Sequence, residues 1–307
     1  MDTSMLDIYT DYLISSFGQT TATGLSRLLD GHISHDKVTR FLSSEPQRSA
    51  DLWRVVKPVV RLVESPDGVV IVDDSIEEKP DTDENELISW HYDHSKDRTV
   101  KGINFLTAAY EAAGVCLPVA FDLVTKEVTY VDQKTGKEKR KSAITKNERY
   151  RMLLRVCVHN QFQFRFVLND LWFASSENMM FVKHDLKKEF VMPLKENRKV
   201  ALAVEDKQHG RYRAVNTLEL PPGATRQIWL EAVDFPLLLV KEVFTNEDGS
   251  TGTRYLVTSD LTLDNDQIRR LFQRRWSIEV YHKSLKQNAL FVMFRSRTFS
   301  TQRNHLF

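Results

Sequence analysis

The sequence predicts an α/β fold in which a mixed sheet with flanking helices is preceded by a helical N-terminal region and carries an inserted all-β subdomain. Three observations support this. Val69-Val70-Ile71-Val72 and Phe164-Arg165-Phe166-Val167-Leu168-Asn169 are short apolar runs of the kind that form buried strands, and each leads directly into acids, Asp73-Asp74 and Asp170. Between them Asn147 to Val158 reads as a helix. After them, residues 186–259 read as successive strands broken at Pro221-Pro222-Gly223 and Asn246-Glu247-Asp248-Gly249, and residues 272–286 return to helical spacing.

Taken in order, residues 1–62 are helical. Leu25, Leu28 and Leu29 share one segment, Gly31 breaks it, and Ser34 caps a second from Ser34 to Leu42. This outline fits a helix-turn-helix offering His35, Lys37, Thr39 and Arg40 to DNA, and equally a plain helical hairpin. Residues 63–185 form the first part of the α/β core. The acidic stretch Pro80 to Leu87 is a loop, and Lys96, Arg98 and Lys101 supply a basic surface. His91 and His94 flank Asp93, but no third soft ligand lies nearby to complete a metal site.

Strands at Asn104–Tyr110 and Cys116–Val124 turn at Gly114, and a charge run, Lys134 to Lys141, follows. The inserted block, residues 186–259, contains strands expected at 190–193, 200–204, 212–220, 227–233, 237–245 and 253–258. Its bases Lys195, Arg198, Arg211, Arg213 and Arg226 could widen a nucleic-acid surface. Residues 260–307 close the core.

Composition limits the function classes. A chain of 307 residues with 41% hydrophobic residues can bury a large core. No run of about 18 apolar residues exists, and the N-terminus carries acids without a basic leader, so a cytoplasmic protein with no membrane partner is expected. Cys116 and Cys157 lie far apart in apolar surroundings, which reads as core filling. With 43 basic and 42 acidic residues, any nucleic-acid binding has to come from local patches.

The stretch 272–286 is the most informative. On a continuous helix Phe272, Arg275, Glu279 and Lys286 fall in one stripe, with Leu271, Ile278 and Leu285 on an adjacent apolar face. One carboxylate among cations suits a metal-binding acid beside a phosphate backbone, although an amphipathic helix with ordinary salt bridges has the same pattern. Acid after strand, acid after strand, then acid on a late helix is the chain order of an RNase H-like nucleotidyl-transfer core, in which carboxylates hold a pair of Mg²⁺ ions about 3.5–4 Å apart.

At Arg275, Glu279 and Lys286 the sequence resembles the insertion-sequence DDE transposases with the YREK signature, Tyr-x2-Arg-x3-Glu-x6-Lys; Phe272 stands where that family has Tyr. Strand alternation alone leaves Asp73 and Asp74 undecided. The resemblance selects Asp74, directly before Ser75, as the first aspartate and Asp170 as the second. It implies a bacterial-type transposase that cuts the ends of its element and joins the 3′-hydroxyl to target DNA, with Asp74, Asp170 and Glu279 as metal ligands. Mg²⁺ would be the cofactor, with Mn²⁺ as its substitute. It further implies double-stranded DNA as partner, a homodimer on DNA, and DNA contacts from Arg275, Lys286, Phe272 and Trp172, the last stacking on an unpaired base. The alternatives are a truncated or inactive copy acting as a DNA-binding regulator, and an RNase H-like nuclease without strand transfer. Residues 301–307 read as the opening of a further helix, and the apolar run Leu290 to Phe294 before it as a surface needing cover, which predicts weak activity and aggregation.

Overall fold

A computed structural model describes residues 3–16, 20–94, 96–221, 223–245, 248–288 and 299–306. The run Leu290 to Phe294 lies outside the described residues. The chain begins with α1 (Thr3–Ser15), α2 (Ala22–Leu28), α3 (His35–Leu42) and α4 (Ser49–Val63). Ser34 caps α3 as its sequence suggests, its hydroxyl accepting the Lys37 N–H at 3.3 Å. Asp30 and Gly31 take positive φ of 50° and 77° to reverse the chain between α2 and α3. Met5, Tyr9, Tyr12, Leu25, Val38 and Leu42 close a small core of their own.

That core does not include α4. Trp53, Val56, Val60 and Val63 pack into the main core, and Ser49 Oγ bonds both the N–H and the carbonyl of Phe121. The helical segment assigned to residues 1–62 therefore divides, its last helix serving the sheet.

The remaining strands are β1 (Val69–Glu78), β2 (Ser89–Asp93), β3 (Arg98–Ala112), β4 (Val115–Leu123), β5 (Val128–Val131), β6 (Glu138–Lys141), β7 (Phe166–Asn169), β8 (Glu189–Leu194), β9 (Lys199–Ala201), β10 (Arg213–Ala214), β11 (Thr225–Leu230), β12 (Leu237–Thr245) and β13 (Thr251–Thr258). The helices among and after them are α5 (Lys146–His159), α6 (Ser176–Met180), α7 (Val204–Gln208), α8 (Asn265–Arg274), α9 (Trp276–Asn288) and α10 (Phe299–Leu306). Among the described residues eleven strands join in one sheet, ordered β10-β9-β11-β12-β13-β8-β7-β1-β3-β2 with β4 also on β3. β7 runs parallel to both β1 and β8, and the other pairings are antiparallel. A large mixed sheet with flanking helices is consistent with an RNase H-like DDE fold.

β1 divides two cores because both its faces are apolar. Val70 and Val72 meet Tyr150 and Leu154 of α5, while Val69 and Ile71 meet Ile268, Phe272 and Ile278 of α8 and α9. The block at 186–259 extends this sheet: β8 takes the place beside β7, and β13, β12 and β11 follow outward. Two of its expected strands are shorter. Residues 204–208 are helical, and the 212–220 strand shrinks to Arg213–Ala214 followed by a 3-10 turn at Val215–Thr217.

The late helix is not continuous. α8 ends at Arg274 and α9 starts at Trp276; at the junction the Arg275 N–H donates to Phe272 O three residues back, at 3.1 Å, and the Ser277 hydroxyl donates to the Arg274 carbonyl at 2.8 Å. α10 docks on α3 and α1: Asn304 Nδ2 donates to Leu42 O at the end of α3 at 3.0 Å, its Oδ1 accepts the Gln47 N–H at 2.9 Å, and His305 Nδ1 lies 3.0 Å from Tyr9 Oη on α1. No helix among the described residues is long and apolar enough to cross a membrane.

Candidate active site

The acids of two adjacent parallel strands meet in one cleft. β1 and β7 are in register from Val69↔Phe166 to Val72↔Asn169, so the next residues, Asp73 and Asp170, emerge side by side. The cleft, about 710 Å³, is lined by Asp73, Asp74 and Asp170 together with Lys146, Lys195 and Lys286. Asp170 is fixed by an Asx turn in which its Oδ1 accepts the N–H groups of Trp172 at 3.0 Å and Phe173 at 3.3 Å. Beneath it, the buried Tyr150 hydroxyl donates to Asn169 Oδ1 at 2.8 Å, and the Tyr150 ring stacks on Phe173. Burial, then the charges of Asp73 and Asp74, push the Asp170 carboxyl up to about 6.

The strand pleat separates Asp73 from Asp74. Asp74 points to the α5 side, where Oδ2 accepts from Lys146 Nζ at 2.6 Å and from Asn104 Nδ2 at 2.7 Å. Asp73 points to the α9 side, 3.6 Å from Nδ1 of the buried His282, whose Nε2 is held by Thr107 Oγ1 at 3.2 Å. On α9 itself Arg275 donates to Glu279, an i,i+4 pair that the sequence spacing already contained. The Arg275 guanidinium also lies over the Phe272 ring and lowers the Asp170 carboxyl, with which it lines a neighbouring pocket; Glu279 is not among the described residues that line the acid cleft.

Phe272 is only 5% exposed, and Arg254 and Arg275 both lie over it. Its ring is a packing surface, so a direct DNA contact from it is not what the geometry offers. Lys286 does reach the cleft, partly buried and held below the ordinary lysine range by that burial against the opposing pull of Glu77 and Asp93. Trp172 is half exposed at the cleft mouth, its ring 5.1 Å from His94, which stands edge-on to Tyr92 at 4.9 Å; Lys146 Nζ lies 5.8 Å above the same indole.

Three expected surface bases are otherwise engaged or placed. Lys96 and Arg98 both pair with Glu78, and Lys195 lines the cleft. His91 is buried against Ser89, and burial with Lys126 and Lys146 nearby pushes its imidazole down to about 3. Sequence reasoning missed Lys146, Asn104 and His282. Two of them carried signals: a lysine as first residue of a capped helix opposes the helix dipole, and an asparagine inside Ile103-Asn104-Phe105-Leu106 interrupts a buried strand.

A hard divalent cation suits the carboxylates of Asp73, Asp74 and Asp170, because it would offset both the burial and the repulsion that raise Asp170. Among the described residues no group of three or more acids, histidines or cysteines is drawn together tightly enough to hold a metal; Lys146 occupies Asp74 and Arg275 occupies Glu279.

Acids converging beside cations where β7 ends against β1 are the kind of site that a metal-dependent enzyme cleaving nucleic acid would use. The family comparison agrees: the model of the DDE superfamily endonucleases matches residues 2–233, and the chain belongs to that family. The match spans Asp73, Asp74 and Asp170 and ends before Glu279. No curated protein matches the chain. DNA is the substrate class of the family, and a divalent metal its usual cofactor.

Proposed function

We propose that this endonuclease is an insertion-sequence transposase of the YREK type, which cuts the DNA ends of its element and joins the freed 3′-hydroxyl to target DNA as a homodimer. The observation that carries the reading is the meeting of Asp170 with the Asp73–Asp74 pair in a cleft rimmed by Lys146, Lys195 and Lys286. Asp74, Asp170 and Glu279 are the residues that would hold two Mg²⁺ ions, or Mn²⁺ in their place. Bound there, the ions supply Lewis-acid activation of the attacking oxygen and charge neutralisation at the leaving oxygen.

The protein's own groups do the rest. Asn104 aims the Asp74 carboxylate, Lys146 holds that carboxylate until a metal takes its place, and the Asx turn aims the carboxylate of Asp170. Arg275 and Lys286 hold phosphates of the element's end; to do so Arg275 exchanges Glu279 for a phosphate oxygen, which frees Glu279 for the metal. Trp172 stacks on an unpaired base, with Lys146 beside it. Asp73 acts through His282, which ties the strand to α9.

The test is incubation of the protein with duplexes bearing the ends of its own element, in Mg²⁺ and in EDTA. Cleavage and strand transfer in Mg²⁺ alone are expected, with both lost in Asp74→Asn, Asp170→Asn and Glu279→Gln while end binding persists. Cleavage without joining would favour a plain nuclease, and binding without either reaction a regulator. Loss of cleavage in Asp73→Asn with retention in Asp74→Asn would reverse the assignment of the first ligand.

A further inference from the structure

Outside the large sheet stands a second, two-stranded one. Among the described residues β5 and β6 pair only with each other, from Val128↔Lys141 to Val131↔Glu138, and every residue of β5 is exposed. A two-stranded hairpin alone is marginal in water, so a persistent one needs an anchor. Its tip is closed by Asp132, whose Oδ1 accepts the N–H groups of Lys134 and Thr135 and whose Oδ2 takes Lys139 Nζ at 2.5 Å. Its feet are clamped by Arg149, 5% exposed in the first turn of α5. That guanidinium donates to Asp122 Oδ2 at 2.6 Å and Leu123 O at 3.1 Å on one foot, and to Ser142 Oγ at 3.1 Å on the other.

The clamp sets the ribbon beside the acid cleft, because Lys146, which holds Asp74, lies three residues before Arg149 on the same helix. The ribbon's charge is unlike that of the chain. Residues 128–141 carry five basic and two acidic side chains, whereas the whole protein is nearly neutral at +1. Period-two alternation puts Val128, Tyr130, Lys139 and Lys141 on one face, with Lys141 Nζ 5.5 Å over the Tyr130 ring. Among the described residues Lys134, Lys137 and Arg140 make no ion pair.

We propose that the β5–β6 ribbon is a DNA-binding arm that grips the phosphate backbone of the duplex flanking the cleft, with Arg149 as the residue that fixes its direction. The proposal rests on the reading of the protein as a DNA-cutting enzyme. Charge complementarity selects DNA as the occupant, and a two-stranded ribbon has the width to lie along or in the major groove.

The experiment measures binding of a labelled mixed-sequence duplex of about 30 base pairs in EDTA across a salt series, for the intact protein and for Lys137→Ala/Arg140→Ala/Lys141→Ala. Each phosphate contact contributes about 0.9 to the slope of log affinity against log salt, so the triple variant should lose about 2–3 units of slope and on the order of a hundredfold in affinity near 0.15 M salt. Lys137→Arg/Lys141→Arg should bind as the intact protein does. Trypsin should cut the free protein within residues 134–141, and the duplex should protect those bonds. Unchanged slope and unprotected bonds, with the intact protein still binding, would overturn the arm and leave the enzyme reading standing. Failure of the intact protein to bind would overturn both. A change in sedimentation of the triple variant without a change in slope would make the ribbon a self-association surface and also sink the proposal.

Discussion

Removing the charge of Asp170 should stabilise the metal-free protein. Its carboxyl is raised from 3.8 to about 6 by burial and by the charges of Asp73 and Asp74. A raised carboxyl favours the folded state while protonated, fully so below the unfolded value near 4, and that contribution is lost as pH rises through the folded value near 6. The shift is about two units, and at about 1.4 kcal/mol per unit it amounts to about 3 kcal/mol. Asp170→Asn keeps an oxygen to accept the Trp172 and Phe173 N–H groups and abolishes the repulsion. In EDTA the variant should therefore exceed the wild type by about 2–3 kcal/mol at about pH 8, the gap closing toward zero at about pH 4. Urea unfolding at the two pH values reads this directly. Mg²⁺ should narrow the gap at the higher pH by binding only the wild type. An equal gap at both pH values, or a less stable variant at about pH 8, would refute the account of Asp170 as a buried carboxyl crowded by like charge.

Two further perturbations probe neighbouring features. Lys146→Met removes the ammonium that sits on Asp74 and competes with a divalent ion for it, so Mn²⁺ binding followed by electron paramagnetic resonance without DNA should tighten by about tenfold; weaker binding would show that the lysine supports the metal site and does not compete with it. Ala113 and Gly114 both take positive φ, 52° and 79°, in the two-residue turn between β3 and β4; Ala113→Asn should raise unfolding free energy by about 1 kcal/mol, and an unchanged denaturation midpoint would mean that the alanine is not strained there.

What was legible in the sequence was local. The apolar run at 69–72, the capping of α3 by Ser34 and the Arg275–Glu279 spacing all depend on residues within a few positions of one another, and each is present in the structure. What was not legible depends on partners far away in the chain. Asp73 and Asp74 read as the end of a strand because polar residues follow, yet β1 continues to Glu78, since Ser75, Ile76 and Glu77 find ladder partners in Phe105, Asn104 and Ile103 of β3. Close packing supports that long pairing at Gly102, where a Cβ would lie 2.1 Å from the Glu77 carbonyl oxygen.

The block at 186–259 read as an insertion because its strands are consecutive, but Phe190, Val191 and Met192 are fully buried and complete the core sheet alongside β7. The same distinction explains Phe272. In sequence it is the one departure from a tyrosine, which draws attention to a missing hydroxyl and a lost DNA contact. In the fold its ring has Ile268 and Ile278 around it and two guanidinium groups over it, one of which holds Glu279. The ring's physical contribution is therefore to seat Arg275, which pairs with Glu279 and lies with Asp170 along a neighbouring pocket.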